Sequence, residues 1–326
     1  MIFCITHTND FYTIDIVQNR LQELGFSTFR FNSDTFATQY KIEYKHSSQH
    51  HHYQHYYLRN ALQSIDSSKI QAVWYRKLWD LTIPEELDPD FIPIFVREYQ
   101  TALQLFFNSI EDIPWMNVMK SDHAVGADKM QQLYRAHRIG LSVPKTIISN
   151  DAAAIRDFFK HCKGNIIMKL HNALSKSMHG DTPFFPTTKV DEADLKDLDA
   201  LAYCPMIFQE YISKAYELRV IYIDGVFFTG KIPNDDEKTD WRISTGQALN
   251  WEQYELPQHI KQKIQELMVG YGLHFGAIDL IRNIKGEYIF LEVNPQGEWG
   301  MLQQHLAYPI GETIAEKLVA SIKDNG

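Results

Sequence analysis

Two apolar runs near the end of the chain place the strongest constraint on its fold. The runs FGAIDLIRN (275–283) and EYIFLEVN (287–294) both have the composition of buried strands. Lys285-Gly286 lies between them and is a short turn signal. The pair therefore predicts an antiparallel β-hairpin with a buried core on at least one face.

Three polar side chains interrupt these runs: Asp279 in the first run, and Glu292 and Asn294 in the second. Successive side chains of a strand point to opposite faces of a sheet. Glu292 and Asn294 are therefore expected on one face, with Leu291 and Val293 on the other. The turn would bring Asp279 beside them, so three oxygen-bearing side chains are expected to meet.

Carboxylate and amide oxygens are the ligands that Mg²⁺ prefers, usually together with waters and substrate phosphates. A buried carboxylate pair without a cation would instead have to keep one member protonated. The alternative is two acids on an edge strand in water, but both runs are apolar on each side of the acids. The hairpin therefore predicts a magnesium site that also binds a phosphate-bearing ligand.

The start of the chain indicates the fold class. MIFCIT predicts a strand, Phe11 to Leu24 a helix that Gly25 ends, and STFRF a second strand. Further helices and strands alternate to the C-terminus, and Asp224-Gly225 predicts another hairpin. The class predicted is mixed α/β (α+β), with units at residues 1–120, 121–212 and 213–326.

Composition excludes several classes of protein. The chain has 326 residues, 44% of them hydrophobic, which is enough for a substantial core. Its net charge of −9 argues against a general nucleic-acid coat. No run reaches the ~20 apolar residues of a membrane helix, and no basic region precedes the first strand, so a cytoplasmic protein is expected. Cys4, Cys162 and Cys204 form no CxxC pair and are expected to be small buried hydrophobes.

A metal with phosphate ligands requires cations and a nucleotide pocket. Lys169 stands near the end of the predicted strand GNIIMKL, and Lys129 begins a helical stretch. Main-chain groups of residues 209–212 are candidates for reading an adenine at a strand edge, and Glu217 for accepting from ribose hydroxyls. Ordinary solvated lysines and a plain core strand remain the alternatives.

Two polar segments have less certain roles. HSSQHHHYQHYYLRN (46–60) holds five of the 14 histidines without regular spacing, which favours a surface hairpin over a metal site. The small-residue stretch around residues 172–183 has too little apolar content to pack well, which predicts a loop able to cover a site. Arg76 emerges from the apolar frame of VWYRKLW, and its role stays open.

Residues 120 to 320 resemble the ATP-grasp superfamily, most specifically through GAIDL and EVNPQGEW. Within that superfamily the chain looks most like the ligases that macrocyclise ribosomal peptides of the microviridin, or graspetide, type. Further matching segments are ADKMQQLYRAHRIGLSVPKT, IFQEYISKAYELRVIYIDG and the DWR at 240–242. NPQGEW stands where the ribosomal-protein glutamate ligases have NxxPG, which favours the macrocyclases. The resemblance implies an ATP-grasp fold: an N-terminal pre-ATP-grasp unit, a small central unit and a C-terminal unit with the magnesium site.

The resemblance also implies roles for individual positions. The cofactor positions are Lys129 and Lys169 for the ATP phosphates, Glu210, Tyr211 and Ile212 for the adenine, Glu217 for the ribose, and Asp279, Glu292 and Asn294 for two Mg²⁺ ions. The catalytic positions are Arg219 at the reaction centre, and Asp240 and Arg242 for the core peptide or the transferred phosphate. A solvated charge run remains the alternative reading of Asp240 and Arg242.

The implied reaction begins when a side-chain carboxylate of a precursor peptide attacks the γ-phosphorus of ATP. A Thr or Ser hydroxyl, or a Lys amine, then attacks the acyl phosphate, and the ester is favoured over the amide. A leader segment bound in a second site would raise the effective concentration of the core peptide. Its groove is expected along residues 182–199 or along NDDEKTD (234–240). Family resemblance also implies a homodimer.

Two other functions stay open from the sequence. One is an amino-acid or glutamate ligase that extends a peptide or protein tail. The other is a nucleotide-binding module without catalysis, which the intact set of Asp279, Glu292, Asn294 and Arg219 disfavours.

Overall fold

The computed structural model describes residues 1–46, 54–171, 187–233 and 250–324. The strands are β1 (Ile2–Thr6), β2 (Thr28–Asn32), β3 (Lys41–His46), β4 (Gln54–Arg59), β5 (Ser64–Asp66), β6 (Ala72–Tyr75), β7 (Trp115–Met116), β8 (Thr146–Ser149), β9 (Ile166–Lys169), β10 (Thr188–Val190), β11 (Met206–Glu210), β12 (Lys214–Ile223), β13 (Val226–Pro233), β14 (Glu252–Gln253), β15 (Phe275–Asn283) and β16 (Tyr288–Asn294). The helices are α1 (Tyr12–Glu23), α2 (Phe36–Gln39), α3 (Ile92–Asn108), α4 (Met119–Ala127), α5 (Lys129–Arg138), α6 (Ala152–His161), α7 (Gln258–Tyr271), α8 (Gly300–Leu306) and α9 (Ile310–Asp324). None of the helices in these ranges combines the length and apolar composition needed to cross a bilayer.

The N-terminal sheet consists of parallel strands in the order β2-β1-β6-β7. All residues of β1 and β6 are buried, as expected for parallel strands covered on both faces. One face packs against α1 and α9, and the other against α3. The short sheet β3-β4-β5 stands beside it, and β3 and β4 form the predicted surface hairpin around the histidine-rich segment.

The middle sheet has the order β10-β9-β11-β8, with antiparallel neighbours. Helix α6 covers it, and the side chain of Asp151 caps that helix by accepting from the Ala153 amide at 2.8 Å. Among the described residues, the apolar core beneath α6 is formed by residues between 147 and 208. This sheet therefore has a core of its own.

The C-terminal sheet has the antiparallel order β14-β13-β12-β15-β16. Its β12–β13 hairpin turns at Asp224-Gly225, as predicted, and both residues have positive φ (44° and 83°). The face that carries Leu218, Val220 and Ile278 packs against α5 and α7. The other face carries Ile221 and Ala277 into a core shared with the N-terminal sheet.

The mixed α/β class is confirmed, and several local predictions need correction. Lys129 begins α5 as predicted, and Asp128 before it separates α5 from α4 and caps α5 by accepting from the Gln131 amide at 2.9 Å. Strand β11 is paired on both sides, so residues 206–210 offer no free strand edge to an adenine. Cys204 is exposed, although Cys4 and Cys162 are buried as expected. Helix α8 was not predicted from the sequence.

Candidate active site

The two predicted metal-ligating acids lie directly opposite each other on neighbouring strands. Asp279 of β15 pairs with Glu292 of β16, and on its other side Asp279 pairs with Arg219 of β12. The side chains of Asp279 and Glu292 are each 24% exposed, and Asn294 is more open. The three strands thus bring Arg219, Asp279, Glu292 and Asn294 together on the sheet.

A β-bulge decides which face Glu292 occupies. Leu280 pairs with Phe290, but Asp279 pairs with Glu292, so Leu291 is an extra residue in β16. Strict alternation would put Phe290 and Glu292 on the same face. Because of the bulge, Phe290 packs into the core with Val293, while Glu292 sits opposite Asp279. The alternation used in the sequence analysis was therefore too simple around Leu291.

Both acids are neutralised by cations of the chain. Arg219 Nη1 donates to both oxygens of Asp279, at 2.8 and 2.9 Å, and Lys129 Nζ lies 2.8 Å from Glu292 Oε2. Charge-assisted contacts of this kind hold a carboxylate in one orientation. The charged partners offset the repulsion expected of two close carboxylates on this face.

The donor set fits Mg²⁺ better than a transition metal. Two carboxylates and one amide oxygen leave the remaining positions of an octahedral shell to waters and phosphates. Within the described ranges, no group of three His, Cys, Asp or Glu residues is arranged to hold a metal by itself. A ligand that brings its own phosphate oxygens is therefore what this site suits.

The loop of residues 295–298 follows β16 and orients Asn294. The Gln296 amide donates to Asn294 Oδ1 at 3.2 Å, and the Gly297 amide donates to the Asn294 carbonyl at 3.1 Å. Arg219 Nη2 donates to the Glu298 carbonyl at 3.2 Å. The 295–298 loop thus contacts both an expected metal ligand and the arginine that holds Asp279.

Two cationic side chains that follow β6 of the N-terminal sheet contact the same loop. Arg76 follows β6 and donates from Nη2 to Glu298 Oε2 at 2.6 Å and from Nη1 to the Gln296 carbonyl at 3.2 Å. Lys77 Nζ is 3.3 Å from Glu298 Oε1. Burial alone would raise the pKa of Glu298, but Arg76 and Lys77 together hold this pKa below its ordinary value. The sequence left Arg76 without a role and missed Glu298, although the unusual NPQGEW ending pointed to this loop.

Asp122 of α4 holds the loop from a third direction. Its carboxylate accepts from Gln296 Nε2 at 2.6 Å and from Asn117 Nδ2 at 3.3 Å, and the residue is 2% exposed. Burial raises the pKa of Asp122 to about 6, against these hydrogen bonds. The acid was not singled out in the sequence.

Asp122 should make stability depend on pH. A raised pKa in the folded state means that folding favours the protonated acid, so this contribution is complete below about pH 4 and is lost as pH rises through about 6. From pH 4 to 7 we expect the free energy of unfolding of the wild type to fall by roughly 2–3 kcal/mol relative to Asp122→Asn. Urea unfolding of both chains across this range measures the difference, and a difference independent of pH would contradict it.

The remaining nucleotide candidates lie in and beside the middle sheet. Lys169 ends β9, and its Nζ is 3.4 Å from Gln209 Oε1 of β11. Glu210 ends β11 and is 3.7 Å from Lys145 Nζ, and its amide donates to the Lys145 carbonyl. The chain then leaves the sheet at Tyr211 and Ile212. The candidates for the adenine therefore stand at a strand end, not along a strand edge.

Glu217 connects these candidates to the C-terminal sheet. It lies on β12 two residues before Arg219, and its carboxylate is 2.5 Å from the ammonium of Lys214, which is 7% exposed. The structure thus groups the predicted residues into one set around Asp279 and another around Lys169 and Glu210, with Glu217 on the strand between. Asp240 and Arg242 lie outside the described residues, as do residues 172–186 and 47–53.

The chain is similar to known proteins over almost its whole length. The family model of the MvdD pre-ATP-grasp domain matches residues 1–123. Macrocyclase MdnB from Microcystis aeruginosa MRC is similar at 36% identity and a TM-score of 0.84, with 98% of each chain covered. Macrocyclase MdnC from the same organism, in a crystal structure with precursor peptide MdnA, shares 29% identity at a TM-score of 0.86, covering 98% of this chain and 99% of MdnC.

A third similar structure comes from Chryseobacterium gregarium. It is a RiPP-associated ATP-grasp ligase in complex with ADP and a leader and core peptide, with 29% identity and a TM-score of 0.88. The match covers 98% of this chain and 96% of that one. A search of curated protein sequences gave no match. The structural matches confirm the predicted ATP-grasp fold.

Proposed function

We infer the function from the family: the chain belongs to the microviridin-type macrocyclases, the ATP-grasp ligases that include MdnB. We propose that it phosphorylates side-chain carboxylates of a ribosomal precursor peptide with ATP and then closes macrocycles in that peptide. The observation that carries the proposal is the set of Asp279, Glu292 and Asn294 on one face, with Arg219 and Lys129 against the two acids.

The charges of this set suit phosphoryl transfer. Mg²⁺ bound by Asp279, Glu292 and Asn294, in the family's manner as two ions, would neutralise the triphosphate. Lys129 and Lys169 would bind phosphate oxygens, and Arg219 would face the transferring group. Glu210, Tyr211 and Ile212 would bind the adenine and Glu217 the ribose. The distribution of these residues between the middle and C-terminal sheets supports binding of the nucleotide between the two sheets.

The acyl phosphate explains why ATP is needed. A carboxylate is a poor electrophile, because a nucleophile attacking its carbon would have to expel an oxide ion, which is a very poor leaving group. Attack of a peptide Asp or Glu oxygen on the γ-phosphorus gives an acyl phosphate and releases ADP. A Thr or Ser hydroxyl then attacks the acyl carbon, loses its proton, and expels phosphate to give the ester, which we favour over the amide formed by Lys. Asp240 and Arg242 are proposed to bind the core peptide or the phosphate.

A leader site is proposed beside the middle sheet. A cavity of about 410 Å³ is lined by Phe159 and Gly164 of the α6–β9 segment and by residues 189–192. It combines apolar walls with Lys189, Asp191 and Glu192, which suits an amphipathic peptide segment. This cavity supports the predicted groove along residues 182–199, while residues 234–240 lie outside the described ranges. MdnC and the Chryseobacterium gregarium ligase were crystallised with precursor or leader peptides, which supports a peptide partner.

Other parts of the proposal rest on the sequence and the family alone. These are the unit boundaries at 1–120, 121–212 and 213–326, the cytoplasmic location and the homodimer. Size-exclusion chromatography with light scattering tests the last of them.

The experiment that tests the function uses the purified protein with ATP, Mg²⁺ and the small acidic peptides encoded beside its gene. We expect ADP to form and the peptide to lose the mass of one water for each ring, seen by mass spectrometry. The same peptide without its leader is the control and should react much more slowly. A gain of mass would identify an amino-acid ligase, and nucleotide binding without turnover would identify a binding module. Either result would overturn the proposal.

A further inference from the structure

The 295–298 loop lies between the expected metal ligands and the N-terminal sheet. From the metal side it receives one hydrogen bond from Arg219, and it gives two to Asn294. Gly297 has no room for a side chain, because a Cβ there would lie 2.2 Å from Ala277 Cβ and 2.9 Å from Arg219 Nη2. A displacement of this loop would therefore be transmitted to Arg219 and Asn294.

From the other side, the loop is held by a residue that is more than 200 positions away in sequence. Arg76 is 4% exposed and makes its two hydrogen bonds to the loop with the two ends of its guanidinium. Its Nε also lies 3.8 Å from the buried carboxylate of Asp10, which is an ion-pair distance without a hydrogen bond. A buried guanidinium fixed at several atoms is a rigid support, because few other orientations satisfy its donors.

We propose that Arg76 and Glu298 are positioning residues for the magnesium site. The ion pair fixes the 295–298 loop, the loop orients Asn294 through the Gln296 amide, and the Glu298 carbonyl holds Arg219 against Asp279. The N-terminal sheet thereby sets the geometry of metal ligands that belong to the C-terminal sheet. This inference rests on the proposed function for the identity of the bound metal and nucleotide.

The size of the expected effect follows from the position of the pair. Residues that orient metal ligands without touching the metal typically change metal affinity or activity by about 10- to 100-fold when they are replaced. Glu298 is the better first target, since its side chain is 41% exposed, whereas removal of the buried Arg76 takes a cation from both Glu298 and the buried Asp10.

The test measures metal binding separately from turnover. For Glu298→Gln, we expect Mn²⁺, followed by electron paramagnetic resonance, to bind about 10-fold more weakly to the protein loaded with a non-hydrolysable ATP analogue. Turnover should fall about 10- to 100-fold, while the KM for the precursor peptide stays within about twofold. Arg76→Lys, which keeps the charge, should retain more Mn²⁺ affinity than Arg76→Gln.

The two substitutions should not be additive. Arg76→Gln combined with Glu298→Gln is expected to bind Mn²⁺ no more weakly than the worse single variant, because both remove the same link. If Arg76→Gln does not fold, the Glu298→Gln measurement alone decides. Arg20→Gln is the matched control. Arg20 of α1 and Glu316 of α9 form another ion pair between distant segments, at 2.6 Å, but this pair is more exposed and includes no residue of the loop. It should leave Mn²⁺ affinity unchanged.

The inference is overturned if Glu298→Gln leaves Mn²⁺ affinity unchanged. It is also overturned if the KM for the peptide rises while metal binding stays the same, which would make Glu298 a peptide contact. If the wild-type protein converts no peptide, the proposed function fails, but the Mn²⁺ measurement still tests the link between the N-terminal sheet and the metal ligands.

Discussion

A chain carrying Glu292→Gln and Asn294→Ala is expected to lose peptide conversion by about 10²- to 10³-fold or more. The first change removes a charge from the proposed metal site, and the second removes a proposed oxygen ligand on the same face. The shape of the strand is kept, because Gln has the length of Glu and Asn294 ends β16. Mass spectrometry of the peptide and ADP release both measure the loss.

Glu287→Gln is the matched control for this experiment. Glu287 belongs to the same hairpin, but it lies at the turn, where its carboxylate accepts from Asn283 Nδ2 at 2.7 Å. Its neutralisation should leave turnover within about twofold, as for most surface changes. Full activity in the Glu292→Gln, Asn294→Ala chain, or an equal loss in the control, would remove the hairpin from the mechanism.

Gly297→Ala is expected to damage the site without removing any functional group. The added methyl would stand 2.2 Å from Ala277 Cβ and 3.2 Å from the Asn294 carbonyl, and Ala277 is fully buried in β15. The loop must therefore move, which displaces Arg219 and Asn294. A misplacement of about 1 Å at reacting groups costs about 10²-fold in turnover, and overpacking costs about 1–3 kcal/mol of stability.

Gly270→Ala separates this effect from a general cost of replacing glycine. Gly270 is in α7, and a Cβ there meets nothing within 4 Å. The free energy of unfolding should rise by about 0.5–1 kcal/mol, because alanine favours helix, and turnover should not change. Chemical denaturation and the mass-spectrometric assay compare the two variants. Wild-type turnover for Gly297→Ala would show that the loop has more freedom than its contacts indicate.

The convergence of the three oxygen-bearing side chains was predictable because its signal is local. Asp279, Glu292 and Asn294 stand in apolar strands joined by a short turn, so hairpin geometry alone brings them together. The same locality made the Asp224-Gly225 hairpin predictable. The bulge at Leu291 was not predictable, because it depends on whether the side chain of Phe290 or that of Leu291 packs into the core.

The contacts around the loop could not be read from the sequence, because they join distant segments. Arg76 and Glu298 are brought together only by the packing of the N-terminal sheet on the C-terminal one. Asp122 gave no signal either, since its raised pKa comes from burial that the sequence does not record. The ATP-grasp fold was recognisable because its ligand motifs are short stretches of sequence. The contacts that hold these motifs in place are tertiary contacts between distant segments.

The division of the apolar core has a mechanical consequence. Trp74, Ile221, Trp299 and Ile314 share one core, so the N-terminal and C-terminal sheets form a single rigid frame. The middle sheet keeps its own separate core around Ile155 and Phe208. Among the described residues, the two cores have no member in common. A nucleotide bound at this boundary, as proposed, would therefore contact two separately packed parts of the chain.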